Sequence, residues 1–164
     1  APLSVARGFK KEEWKKIFGD DFPSEIQKIY TALSETKPAL ADYSHCEPLR
    51  WHFFFIYKVN IDAYIYTENK ANILGGINSN GRSLATRLYI KLVARTNVQV
   101  TFQYYWQVVN TGEAAKVDLR GEIFSGNQVQ WEKTKYRGKH WIECFIVQDG
   151  ICVARSGKFF INIK

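Results

Sequence analysis

Nothing in this sequence is long and apolar enough to cross a bilayer, since the most apolar stretch, residues 51–59, is interrupted by His52 and Lys58. The opening residues, 1–8, lack the apolar core of a signal peptide. Both absences predict a cytoplasmic protein with no membrane partner. Methionine is missing altogether, and with the Ala1-Pro2 start this reads as an excised domain in preference to a processed full-length protein. Internal repeats and low-complexity tracts are also lacking. The 164 residues therefore predict one domain, long enough to bury a core without disulfides.

Cysteine is sparse and odd in number: Cys46, Cys144 and Cys152. If Asp149-Gly150 is the two-residue turn of a hairpin, Cys144 lies across from Arg155 and Cys152 across from Val147. The two thiols then point to opposite faces of the sheet, which predicts free buried thiols in a reducing compartment.

Motifs for chemistry are equally thin. The chain has no Gly-rich phosphate loop, no nucleophile elbow and no zinc-peptidase helix. His140 and Cys144 are tempting partners, but four residues of strand separate them by roughly 13 Å, too far for a nucleophile–base pair or a shared metal. His45 and Cys46 are neighbours with no further ligand pattern around them. The pairs Glu12-Glu13 and Asp20-Asp21 read as a solvated helix face or a cap. No catalytic residue, metal site or cofactor is expected.

What the chain has in quantity is aromatic and apolar residues, 15% and 46%, a composition that leans to β-structure. Residues 10–18 and 24–34 carry helical spacing, with Trp14, Ile17 and Phe18 in the first and Ile26, Ile29, Tyr30 and Leu33 in the second. They predict a helical arm over residues 1–45. From residue 49 the period changes to two. Strands are expected at 49–59, 61–66, 88–94, 101–110, 117–123, 130–136, 141–148 and 151–164, the last broken at Gly157. Turn signals fall between them at Gly75-Gly76, Asn80-Gly81, Thr111-Gly112, Gly126-Asn127 and Asp149-Gly150. Many short strands with regular turns predict a mainly β fold, a sandwich or a partly open barrel, with an immunoglobulin-like β-sandwich over residues 46–164 as the first choice.

His140, Glu143 and Arg155 stand inside otherwise apolar strand patterns, where unpaired burial costs several kcal/mol. Each needs a partner, from the protein or from a ligand. The interleaved Trp131, Lys133, Lys135, Tyr136, Arg137, Lys139, His140 and Trp141 can contact an anion or a base, since stacking rings beside cations hold nucleotides and single strands. The same lysines can equally alternate outward from a strand and its turn. A net charge of +7 allows an anionic partner without amounting to a concentrated basic run. Trp106 shares a face with Phe102, Tyr104 and Val108, a face suited to core packing, and Asn110 can bond its own turn backbone.

Four runs carry a resemblance: residues 105–115 (YWQVVNTGEAA), 119–121 (LRG), 134–144 (TKYRGKHWIEC) and 150–157 (GICVARSG), followed by Phe160-Ile161-Asn162-Ile163. Together, from about residue 51 to 164, they resemble the adenylyl/guanylyl and SMODS C-terminal sensor domain, found in bacterial anti-phage defence at the C-terminus of nucleotidyltransferases that make nucleotide second messengers. The resemblance implies a β-rich, non-catalytic sensor of a ligand such as a nucleotide, acting on a nucleotidyltransferase domain in cis or in trans, with residues 1–45 as a connector. No Gly-Ser followed by an Asp-x-Asp metal triad occurs in this chain, so catalysis belongs elsewhere. The sensing site expected on this basis comprises Arg120, Tyr136, His140 and Arg155 with Trp106, Asn110 and Glu143. A single-stranded nucleic-acid-binding module and a plain protein-interaction sandwich are the competing expectations.

Overall fold

The computed structural model describes residues 44–164; the expected helices at 10–18 and 24–34 lie outside the described residues. The described chain is built from ten strands: β1 (His52–Phe53), β2 (Val59–Tyr66), β3 (Ile73–Ile77), β4 (Tyr89–Thr96), β5 (Gln103–Val109), β6 (Ile123–Gly126), β7 (Val129–Lys133), β8 (Gly138–Gln148), β9 (Ile151–Arg155) and β10 (Phe159–Ile163). One short 3₁₀ turn, Glu113–Ala115, interrupts the connection from β5 to β6. Among the described residues no helix is long and apolar enough to cross a membrane.

Two sheets form. One runs β3-β2-β4-β7, and the other runs β1-β9-β8-β5-β6 with β10 also paired to β8. The order β2-β4-β7 against β6-β5-β8-β9 is that of strands A-B-E against C′-C-F-G in an immunoglobulin-type sandwich, with β3 and β10 added. The sandwich reading therefore holds. Strand β8 is long enough to serve two partners on one edge: residues 138–142 pair with β10 and 145–148 with β9. On its other edge it pairs with β5.

The period-two pattern explains the core. Ala63 and Ile65 of β2 and Ile90, Leu92 and Ala94 of β4 point between the sheets, meeting Trp106 and Val108 of β5 and Ile142, Cys144 and Ile146 of β8. Each large apolar side chain so buried stabilises the fold by about 1.5–3 kcal/mol. Trp106 is fully buried, and its indole N–H donates to the Asn127 carbonyl at 2.9 Å. It occupies the place of the tryptophan expected on strand C of such a sandwich, opposite Cys144 of β8. A second cluster, Ile123, Phe145 and Cys152, covers the other face of the β8 sheet beneath Leu49, Trp51 and Tyr105.

The β8–β9 hairpin turns at Asp149 (φ 49°) and Gly150 (φ 77°), the positive pair that a tight hairpin turn of this kind demands. Cys152 lies across from Val147 as the turn predicts, but a bulge between Ile146 and Val147 shifts the remaining register, so Arg155 opposes Phe145 rather than Cys144. The thiols still separate: Cys144 sits between the sheets, Cys152 lies in the second cluster, and both are free.

Three strand expectations change. Residues 73–77 form β3 through Gly75-Gly76, where a turn was expected, because pairing with β2 carries those glycines. The expected strand at 49–59 shrinks to β1, with Phe54, Ile56 and Tyr57 following as single amide donors to the carbonyls of Cys152 and Val153. Residues 117–122 form no strand, because their backbone bonds elsewhere. The Glu47 amide donates to the Gly121 carbonyl at 2.9 Å, and a Cβ on Gly121 would lie 2.3 Å from the His45 carbonyl oxygen. Only a residue without a side chain permits that approach.

Candidate functional site

A cleft of about 170 Å³ opens between the two sheets at one end of the sandwich. Its floor is apolar: Ile90 of β4, Val108 of β5, Ile142 of β8, and Ile161 and Ile163 of β10. Its rim is polar, with Asp118 and Arg120 from the segment after β5, Glu132 and Lys133 from the end of β7, and Lys135 and Tyr136 from the β7–β8 connection. Asn110, Thr134 and His140 join floor to rim.

The rim is tied together by side chains. The Asn110 amide donates to the Asp118 carbonyl at 2.5 Å, while its oxygen accepts from the Arg120 amide at 2.7 Å. Asn110 thus holds residues 118–120 against the end of β5. The Arg120 guanidinium reaches Glu132 through two hydrogen bonds, 2.5 and 3.2 Å, in a fork that suits a carboxylate. Burial opposes the charge on Arg120, but the Glu132 carboxylate together with Glu122 and Asp118 raises the guanidinium's pKa. Asp118 accepts from the Tyr136 hydroxyl at 2.9 Å and from Lys135 at 3.2 Å. Those two donors, Tyr136 foremost, hold its pKa below the usual carboxylate range.

His140 is buried, and both its ring nitrogens are used. The Thr111 amide donates to Nδ1 at 3.1 Å, which places the ring proton on Nε2, and Nε2 lies 2.7 Å from the Tyr136 carbonyl. Burial pushes the imidazole pKa down, partly offset by the Tyr136 carbonyl, and the ring stays neutral. The bond is reached because β8 begins at Gly138, whose φ of 139° brings the chain so close that a Cβ would sit 2.5 Å from the Thr111 oxygen. The glycine within the 134–144 motif is therefore a backbone requirement of the His140 contact.

Of the seven expected site residues, Arg120, Tyr136, His140 and Asn110 meet at this cleft. The other three do not line it. Trp106 is a core residue bonded to Asn127. Glu143 and Arg155 pair with each other at 2.7 and 2.9 Å, with Arg155 also placed over the Phe145 ring, on the side of the β8 sheet that carries the second cluster. The alternation of β8 divides them: His140 and Ile142 face the cleft, whereas Glu143 and Phe145 are set apart by the pleat.

Sequence reasoning missed Glu132, Asp118 and Thr134. Glu132 could have been found, because alternation in β7 sends Gln130 and Glu132 inward, and an inward carboxylate requires a cation. Thr134 is fully buried and bonds the backbone of Ala85 and Leu88. No pattern in the sequence announces that role.

Each cation at the rim faces a carboxylate: Arg120 with Glu132, Lys135 with Asp118, and Lys133 with Glu68. A bare phosphate would have to displace one of them. The combination of an apolar floor, a polar rim of donors and acceptors and a volume below the roughly 300 Å³ of drug-sized sites suits a single flat ring with a polar edge. Among the described residues no group of three or more His, Cys, Asp or Glu side chains is placed to hold a metal ion.

A search of curated proteins finds no match for the chain. The family model of the adenylyl/guanylyl and SMODS C-terminal sensor domain matches residues 41–164, the whole of the sandwich described above. The family is a C-terminal sensor domain of nucleotidyltransferases rather than their catalytic domain. With about three quarters of its residues inside that match, the chain belongs to the adenylyl/guanylyl and SMODS C-terminal sensor domain family.

Proposed function

We propose that this domain senses a nucleotide-class ligand, takes its base into the cleft, and passes the event to a nucleotidyltransferase in cis or in trans within a cytoplasmic bacterial anti-phage signalling system. The observation that carries the reading is the convergence of Arg120, Tyr136, His140 and Asn110 on one cleft with an apolar floor. A base edge would bond Arg120, Glu132 and Tyr136 while its ring covers Ile142 and Ile161. Binding would disturb segments 110–120 and 134–140 together, because Asn110, Asp118 and Tyr136 link them in one chain of hydrogen bonds. A ligand that favours one arrangement of that chain shifts the surface offered to the partner.

The test is a thermal-shift panel of mono-, di- and cyclic nucleotides, followed by calorimetry on Arg120→Ala and His140→Ala, with Lys116→Ala as a charge-removal control away from the cleft. A ligand at about a hundred times its Kd adds roughly 2.7 kcal/mol of stability. One nucleotide class should stabilise the wild type and lose its effect in both cleft variants. Unchanged binding in both, or no stabilisation by any nucleotide, would sink the reading.

A protein-interface reading is favoured by a separate observation. Phe53, Phe54, Phe55 and Ile56 are 55, 69, 46 and 55% exposed in one short run beside β9. Such a row fits a contact with another folded domain. Paired Phe54→Ser and Ile56→Ser changes should weaken association with the nucleotidyltransferase and leave nucleotide stabilisation intact; equal association would dismiss it.

A further inference from the structure

The outer face of the β3-β2-β4-β7 sheet carries a second surface that shares only Lys133 with the cleft. Register places Tyr66, Tyr89 and Lys133 in one row across β2, β4 and β7, and Tyr64, Lys91 and Trp131 in the next. These residues point away from the core, since their neighbours Ile65, Ile90 and Leu92 point into it. Rings and cations are in contact. Tyr66 meets Trp131 edge to face at 5.0 Å, Lys91 lies 5.8 Å from the Trp131 ring, and Lys133 lies 5.6 Å from the Tyr89 ring.

Lys70 completes the group in an unusual way. It sits in the β2–β3 turn with φ 60°, a left-handed conformation that favours glycine or asparagine over lysine. The turn around it is fixed: Thr67 donates to Asn69, Asn69 accepts from the Ala71 amide, and Thr67 accepts from the Asn72 amide. From there the Lys70 ammonium lies 4.4 Å from the Tyr89 ring and 4.8 Å from the Trp131 ring. A glycine would satisfy the turn at lower conformational cost, but only a long cation reaches both rings. Backbone strain retained beneath a surface cation points to use of that cation.

We propose that this face binds single-stranded nucleic acid, with bases stacking on Trp131 and Tyr89 and Lys70, Lys91 and Lys133 moving from the rings to the phosphates. Charge complementarity supports a polyanion: three lysines surround the rings and, among the described residues, one carboxylate, Glu68, pairs with one of them, Lys133. Aromatic platforms beside cations on an open sheet face are the general solution for unpaired strands, whose bases have free π-faces. A duplex buries those faces and offers only phosphates. Lys133 alone is shared, since it also reaches the cleft rim; Trp131, Tyr89, Lys70 and Lys91 lie on the side of the sheet away from the cleft, so changes at Trp131 and Lys70 test the platform without touching the cleft.

Fluorescence anisotropy of the full chain with labelled 12-nucleotide single strands of DNA and of RNA, and with the matching duplex, tests the proposal. Single strands should bind more tightly than the duplex, and a preference between DNA and RNA would tell which of the two the platform serves. Trp131→Ala should weaken binding at least about fivefold, as loss of one stacked base implies, and Trp131→Phe should restore most of it. Lys70→Gly should keep the melting temperature, since glycine suits the left-handed turn, while lowering affinity and reducing the slope of log K against log salt by about 0.7. The proposal is overturned by equal affinity for duplex and single strand, by mononucleotides competing as well as oligomers, or by wild-type affinity in both Trp131→Ala and Lys70→Gly.

Discussion

Glu143 and Arg155 face each other from β8 and β9 through two hydrogen bonds, with the carboxylate 1% exposed and the guanidinium 41% exposed. The pair answers the demand that a carboxylate inside an apolar strand must be met by a cation, and the protein itself supplies it. Removing the cation leaves a buried charge alone. Arg155→Ala should therefore cost about 2–4 kcal/mol, toward the lower end for a broken buried pair because the guanidinium keeps part of its water. Glu143→Leu combined with Arg155→Leu should recover most of that loss. Urea unfolding of the three proteins checks it, and a loss under about 0.5 kcal/mol for Arg155→Ala would show that the pair is dispensable.

His140 sets a pH dependence whose sign follows from its burial. Its folded pKa is lowered from the usual 6.5, so the unfolded chain binds the extra proton first as pH falls. The stability it contributes is complete above about pH 6.5 and is lost as pH drops through the folded value. Melting temperature should decline from pH 7.5 to pH 5 in the wild type and decline less in His140→Gln, which keeps one acceptor and one donor without titrating. Parallel curves for the two proteins would assign the dependence to other groups.

Asn110 serves two backbone groups that have no other described partner, the Asp118 carbonyl and the Arg120 amide. Asn110→Ala should cost about 1–3 kcal/mol, the penalty for polar groups left unsatisfied near the interior. Asn110→Asp should be no better, because the carboxylate still accepts from Arg120 but turns an oxygen toward the Asp118 carbonyl. Chemical denaturation distinguishes this from a turn residue of little consequence, for which both variants would unfold with the wild type.

The thiols should be inert in the folded protein. Burial pushes Cys144 far above the usual range and Cys152 up to about 11, and it raises Cys46 as well despite the nearby Lys158. Disulfide-exchange reagents at pH 8 should label Cys46 slowly and the other two only after unfolding. Fast native labelling of Cys144 or Cys152 would contradict their placement in the two clusters.

Much of the sandwich was legible because its strands alternate cleanly. Trp106 and Val108 in β5, and Ile142, Cys144 and Ile146 in β8, repeat with the period of a half-buried strand and occupy the core as that period requires. The failures share one cause: bonds made between distant segments. Gly75-Gly76 reads locally as a turn and becomes a strand only through β2, while residues 117–122 read as a strand but give their backbone to Asn110 and Glu47. The site divides in the same way. His140, Glu143 and Arg155 were recognisable as residues needing partners, yet which side of β8 each partner occupies depends on pairing and on a bulge that no local pattern records.

Among the described strands, β8 alone joins β5 on one edge to both β9 and β10 on the other, and β10 contributes Ile161 and Ile163 to the cleft floor. During synthesis from the N-terminus, the second sheet cannot assemble beyond the β5–β6 hairpin until β8 has emerged, and the cleft floor lacks Ile161 and Ile163 until β10 follows. Such distant pairings put folding on the slow end of the scale for domains of this size, within milliseconds to seconds by order of magnitude. The cleft is consequently completed only with the last strand of the sandwich.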